Sequence, residues 1–191
     1  WYTGLVYLTP ILGGFFADKF LGYRNATVLG AFIMTVGRAS MALQTFCTTF
    51  FFIGLSCLVI GNGFFKPNIS SIVGQLYKDG DIRKDGGYTI FYMGINAGAF
   101  LGILLCGYIG EKVGWHLGFG LAGIFMFFGM LQFWFAQKIF GNIGLSPKAL
   151  AQTNNETEEV TEEVPKKTEN DRLFVVVVFS LFTIFFWWAF E

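Results

Sequence analysis

Charge is scarce in this chain. Only 14% of its 191 residues are Asp, Glu, Lys or Arg, against about 25% in an ordinary soluble domain, so a soluble globular fold is excluded. Histidine occurs once, at His116, and cysteine three times, at Cys47, Cys57 and Cys106. No C-x-x-C pair is present, so neither a disulfide framework nor a zinc site is suggested. The cysteines read instead as small buried hydrophobes, and His116 as a structural residue of a loop. A membrane-embedded enzyme would need a metal or nucleophile constellation, which one His and three scattered Cys do not supply. The chain is therefore not read as an enzyme, and no cofactor or metal is expected. Net charge is zero, so bulk electrostatics name no partner, nucleic acid included.

What is abundant is apolar surface. Hydrophobic residues make up 54% of the chain and aromatics 19%, with 25 Phe and 25 Gly. Glycine is more frequent in membrane helices than in soluble ones. Six apolar segments stand out, at 1–16, 26–46, 49–77, 87–110, 115–141 and 173–191. A hydrocarbon core of about 30 Å needs ~20 residues of helix. Backbone in lipid must be satisfied within the segment, so the spans are expected to be helices, even at the Val-rich run 175–178. With no Met at position 1 and an apolar run still open at Glu191, the chain is expected to be part of a longer membrane protein, with the first and last spans truncated.

Basic residues orient the spans. Ten Lys and Arg fall in alternate loops: Lys19, Arg24, Lys78, Arg83, Lys84, Lys138, Lys148, Lys166, Lys167 and Arg172. The opposite side receives only Lys112. The positive-inside rule makes the ten-residue side cytoplasmic. The polar stretch 142–172, acidic and then basic, reads as a cytoplasmic linker of solvated charges.

Two cations fall inside spans. Arg38, in the 26–46 span, reads as snorkelling or paired rather than as a site. Lys66 is different. A charge at mid-membrane depth costs roughly 2.5–3.5 kcal/mol on insertion scales, which marks a functional site lining a polar cavity. Tyr77 is eleven residues further on, roughly 16 Å at helical rise, too far for comfortable snorkelling. Pro67 removes one helical hydrogen bond and frees a carbonyl near the charge. Asn62 lies one turn earlier on the same face.

Other polar residues share faces at helical spacing. Tyr92 and Asn96 are i, i+4, while Gly94, Gly98 and Gly102 form a close-packing ridge on a different face. From the residues alone, Asn96 is either interhelical glue or a cavity group, and Tyr92 either packing or site. Trp187 and Glu191 are also i, i+4. Glu191 reads either as a helix-end carboxylate or as a cavity acid. Tyr7, three residues before Pro10, reads by itself as an interfacial or packing aromatic.

The stretch 13–25, with Gly14, Asp18, Lys19, Gly22 and Arg24, resembles the G-x-x-x-D-(R/K)-x-G-x-R loop motif of the major facilitator superfamily. An Asp near a helix end with basic neighbours can latch onto other helix ends and bias a conformational equilibrium. Five blocks follow in order: YLTPILGGFFAD (7–18), GNGFFKPNISS (61–71), FYMGINAGAFLG (91–102), GYIGEKVGWHLGFGLAGIFM (107–126) and FFWWAFE (185–191). Together they resemble the proton-dependent oligopeptide transporter (POT/PTR) family, a branch of that superfamily.

The resemblance implies an all-α polytopic membrane protein and a partial major facilitator fold. Residues 1–141 would be helices two to six of the N-terminal bundle, 142–172 the linker, and 173–191 the start of the C-terminal bundle. It implies proton-coupled symport of di- and tripeptides across the plasma (cell inner) membrane. The proton would be the coupling ion, and the lipid bilayer the surroundings. Substrate-binding residues would be Tyr7, Lys66, Tyr92, Asn96, Trp187 and Glu191, with Lys66 and Glu191 coupling protons. The loop of Asp18, Lys19, Gly22 and Arg24 would be the conformational latch. The family's first helix, with its acidic ExxER motif, is expected to lie outside this sequence. One departure stands out: only about thirty polar residues, 142–172, separate the spans, where bacterial members often carry an additional helical hairpin, which is absent, removed or elsewhere in the protein. Alternatives are a member carrying another small anion, such as nitrate, or a carboxylate-bearing solute, and a non-transporting sensor on the same scaffold.

Overall fold

The computed structural model describes residues 2–78 and 81–146 and, in the last apolar run, positions 175, 177–179, 181, 182 and 185. Helix α1 (Tyr2–Phe16) runs into a π turn, Ala17–Leu21. Gly22, at φ 76°, then reverses the chain into α2 (Tyr23–Ala42). Helix α3 (Thr48–Gln75) is the longest. Helix α4 (Arg83–Gly102) passes through a second π turn, Ile103–Gly107, into the short α5 (Tyr108–Lys112). Helix α6 (Trp115–Ala136) ends in a 3₁₀ turn, Gln137–Phe140.

Among the described residues, five stretches are long and apolar enough to cross a bilayer: Gly4–Leu21, Tyr23–Thr45, Thr48–Gln75, Arg83–Lys112 and Trp115–Phe140. They overlap the first five of the six apolar segments expected from hydropathy. Phe32, Phe52, Phe100, Phe128 and Phe135 point outward and exposed, a surface suited to lipid rather than water. Cys47 is exposed, and Cys57 and Cys106 are half-buried. This corrects the expectation of buried cysteines, because an apolar side chain in a membrane helix need not face the protein interior.

Helices α2 and α3 form the tightest pair, and glycine is the reason. A Cβ on Gly30 would meet the Gly61 carbonyl at 2.7 Å, and one on Gly37 the Gly54 carbonyl at 2.9 Å. The reciprocal positions are equally closed, with Gly61 against Met34 and Gly54 against Met41 at 2.4 Å. Small residues at a spacing of seven let two backbones approach and gain dispersion contact where lipid offers no hydrophobic driving force.

The core sits between α2, α3 and α6. It includes Met34, Phe65, Ile69, Ile72, Met126 and Phe133, all nearly inaccessible. The described positions of the last apolar run join this core. Phe182 lies 5.3 Å from both Phe65 and Phe133, and Phe179 stacks on Phe140 at 4.9 Å. Gln132 Nε2 donates to the Val178 carbonyl at 3.2 Å.

Candidate functional site

Two prolines build the crossing of α1 and α3. Pro10 lies inside α1 and Pro67 inside α3. Each lacks an N–H, so the carbonyl four residues earlier loses its helical donor. Those carbonyls belong to Val6 and Gly63. Asn62 Nδ2 donates to the Val6 carbonyl at 3.2 Å. The Gly63 carbonyl faces Gly13, where a Cβ would fall at 2.0 Å. Thr9 Oγ1 donates to the Val59 carbonyl at 3.0 Å, beside the same crossing. Backbone groups freed in a membrane are thus either capped or given room on the neighbouring helix.

This crossing sets Lys66 against Tyr7. Lys66 Nζ lies 5.5 Å from the centre of the Tyr7 ring, over its face, within the range of a cation–π contact. Lys66 is half-buried, nine residues before the end of α3, or roughly 14 Å at helical rise. Tyr7 is 70% exposed. The pair therefore stands on a side of α1 and α3 that the described helices leave open.

Asn62 itself is buried, and its Oδ1 has no hydrogen-bond partner among the described residues. The same holds for Asn68, whose Nδ2 donates back to the Phe64 carbonyl at 2.6 Å. Asn62 shares the Lys66 face as its spacing predicts, yet its amide serves the broken helix opposite.

Tyr92 and Asn96 do share a face of α4. Both are exposed, and Asn96 Nδ2 donates to the Tyr92 carbonyl at 2.8 Å. The amide thus bonds its own helix rather than a neighbour. Gly94, Gly98 and Gly102 are buried on another face, as a packing ridge requires. Helix α4 meets α3 near the loop end, where Tyr88 Oη donates to the Ser70 carbonyl at 3.3 Å. Trp187 and Glu191 lie outside the described residues.

The loop after α1 is tied down by its arginine. Arg24 Nε and Nη2 donate to the carbonyls of Ile143 and Gly141, and the guanidinium lies 5.5 Å from the Phe140 ring centre. The Arg24 N–H donates to the Gly144 carbonyl, and the Gly144 N–H to Gln75 Oε1. Gly22 sits so close to Ser146 that a Cβ would meet its nitrogen at 2.5 Å. Asp18 interacts with the Tyr23 hydroxyl, and Lys19 Nζ lies over the Phe15 and Phe20 rings. Among the described residues, the contacts of this loop run through Arg24 to the segment after α6. The end of α3 and the basic loops after α1 and α6 thereby meet at one end of the bundle.

A separate apolar groove lies between α1 and α3, lined by Tyr2, Leu5, Phe52, Leu55 and Val59 among others. None of the expected site residues lines it.

Known proteins place this architecture. Residues 24–157 match the PTR2 pattern of the POT family. The peptide transporter YePEPT of Yersinia enterocolitica subsp. palearctica serotype O:3 (strain YE-P4) is 46% identical over 69% of this chain and 26% of its own length. A di-/tripeptide transporter of Lactococcus lactis subsp. cremoris is 40% identical over 76% of this chain and 29% of its own. A crystal structure of peptide transporter POT in complex with sulfate superposes with a TM-score of 0.72 and 40% identity, over 81% of this chain and 32% of that one. The chain thus spans between a quarter and a third of the length of these relatives.

Proposed function

The chain belongs to the POT family, and from that premise we propose that the full-length protein is a proton-coupled symporter importing di- and tripeptides. The fold is part of a major facilitator bundle, and the family is one of peptide transporters rather than enzymes. The observation that carries the reading is Lys66 held over Tyr7 inside a membrane span.

A zwitterionic peptide offers a carboxylate, an amine and variable side chains. Lys66 supplies a fixed positive charge, and Tyr7 an adjacent ring and hydroxyl. Together they hold the carboxylate without reading the side chains. Asn96 and Tyr92, exposed on α4, receive the backbone or amine. Trp187 and Glu191 complete the cavity, and protonation of Glu191, with charge pairing to Lys66, biases the bundles between inward- and outward-open states. Residues 1–141 act as part of one bundle, 142–172 as a cytoplasmic linker and 173–191 as the opening of the second. Rocking of the two bundles in the plasma membrane gives alternating access. The Arg24 latch lies at the end where the inner gate would close.

The test is uptake of labelled dialanine by the full-length protein in liposomes, with and without an inside-alkaline pH gradient. Gradient-driven uptake competed by an unlabelled tripeptide is the expected result. Competition by nitrate or a simple carboxylate, with no effect of tripeptide, would reassign the substrate to another small anion. No uptake by a folded, inserted protein would favour the sensor reading.

A further inference from the structure

The Lys66 site leaves a second buried cation unused. Arg38 on α2 is only 6% exposed, so it does not snorkel to water. Among the described residues it enters no ion pair, and no hydrogen bond to it is found. It stands fifteen residues beyond Tyr23, roughly 22 Å along the helix from the Arg24 end. It therefore belongs to the opposite half of the bundle.

Its surroundings are built to admit it. Gly123 on α6 faces it, and a Cβ there would sit 3.2 Å from the Arg38 Cβ. The titratable groups that interact with it are Tyr2 on α1 and Cys106 in the π turn after α4. A phenol and a thiol are ordinarily neutral at pH 7, so neither neutralises a guanidinium. Arginine does not deprotonate in proteins, and it presents up to five donors in a planar fork. A guanidinium buried without a counter-charge costs several kcal/mol. The side chain is almost wholly covered by protein, so an anion that pairs with it has to reach it from within the protein. The matching stretch covers 26% and 29% of two relatives, which carry further sequence beyond it.

We propose that Arg38 is the docking point for a carboxylate carried on a membrane helix of this same protein outside residues 1–191. The pair would close the half of the bundle remote from Arg24. The planar fork suits a carboxylate in two-point contact. The inference is independent of which solute the protein carries.

The experiment is a double-mutant cycle on the full-length protein in detergent, read by thermal unfolding. Arg38→Met removes the charge and keeps apolar volume. Each Asp and Glu in the apolar helices outside this chain is changed to Asn or Gln, alone and with R38M. The expected result is a lower Tm for R38M, the same loss for one carboxylate variant, and no further loss in their double mutant. If R38M cannot be purified, Arg38→Gln carries the same cycle. The proposal is overturned if R38M leaves Tm unchanged or raises it, or if every double mutant is additive. It is equally overturned if the wild-type Tm falls to the R38M value on delipidation and returns with anionic lipid, which would make the partner a lipid phosphate.

Discussion

Asn62 donates its side-chain amide to the Val6 carbonyl at 3.2 Å, and Val6 is the residue whose helical donor Pro10 removes. One helix is broken and the other carries the repair. The contact joins residues 56 positions apart in sequence, beside the lysine and tyrosine of the candidate site.

The repair is measurable. Asn62→Ala leaves the Val6 carbonyl unsatisfied and is expected to cost about 1–3 kcal/mol. Pro10→Ala returns an N–H to α1, so the double variant should lose less than the sum of the singles. Thermal or denaturant unfolding of the full-length protein decides. Strict additivity would show that the two residues are not coupled.

Gly13 and Gly14 make a matched pair of probes. A Cβ on Gly13 collides with the Gly63 carbonyl at 2.0 Å, whereas nothing lies within 4 Å of one on Gly14. Gly13→Ala should reduce the yield of monodisperse protein sharply, and Gly14→Ala should leave it near wild type. Size-exclusion profiles after expression report both, and equal profiles would refute the close crossing.

Lys66→Ala should abolish proton-driven peptide uptake. Tyr7→Phe keeps the ring beneath the ammonium and Tyr7→Leu does not. A cation–π contact is worth about 0.5–2 kcal/mol, so substrate affinity should fall roughly 2–30-fold in Y7L and much less in Y7F. If Y7F falls as far as Y7L, the hydroxyl rather than the ring face is what matters.

Arg24→Ala removes two carbonyl contacts and the Phe140 stacking partner. The segment 141–146 should then become more open to protease and to thiol labelling of an Ile143→Cys variant. Arg24→Lys, which cannot fork, should be intermediate. Labelling rates unaffected by R24A would mean that Gln75 and Gly22 hold the segment without it.

Much of the fold could be read from the residues because hydropathy and helix length share one physical scale. The ends of α3 and α6 fall within a few residues of the apolar boundaries. Lys66 stood out because charge in an apolar run is costly. What escaped is relational. The spacing of Gly30 and Gly37 does not say that Gly54 and Gly61 are their counterparts. Asn62 showed its face but not its partner, since nothing local to α3 reveals a broken hydrogen bond in α1. Arg24 was expected to belong to a latch loop, but its acceptors, the backbone carbonyls of Gly141 and Ile143, carry no side-chain signal. Arg38 was expected to snorkel or pair, and its burial excludes the first.

The proline crossing also governs how the site can move. Bending α1 at Pro10 displaces the Val6 carbonyl, and Asn62 is hydrogen-bonded to it. Lys66 rides one turn further along the same helix, and Tyr7 is the next residue after Val6. A hinge placed there would turn both partners through the same arc. On the proposed function, the grip on a solute's charged end would then follow the motion of the helices.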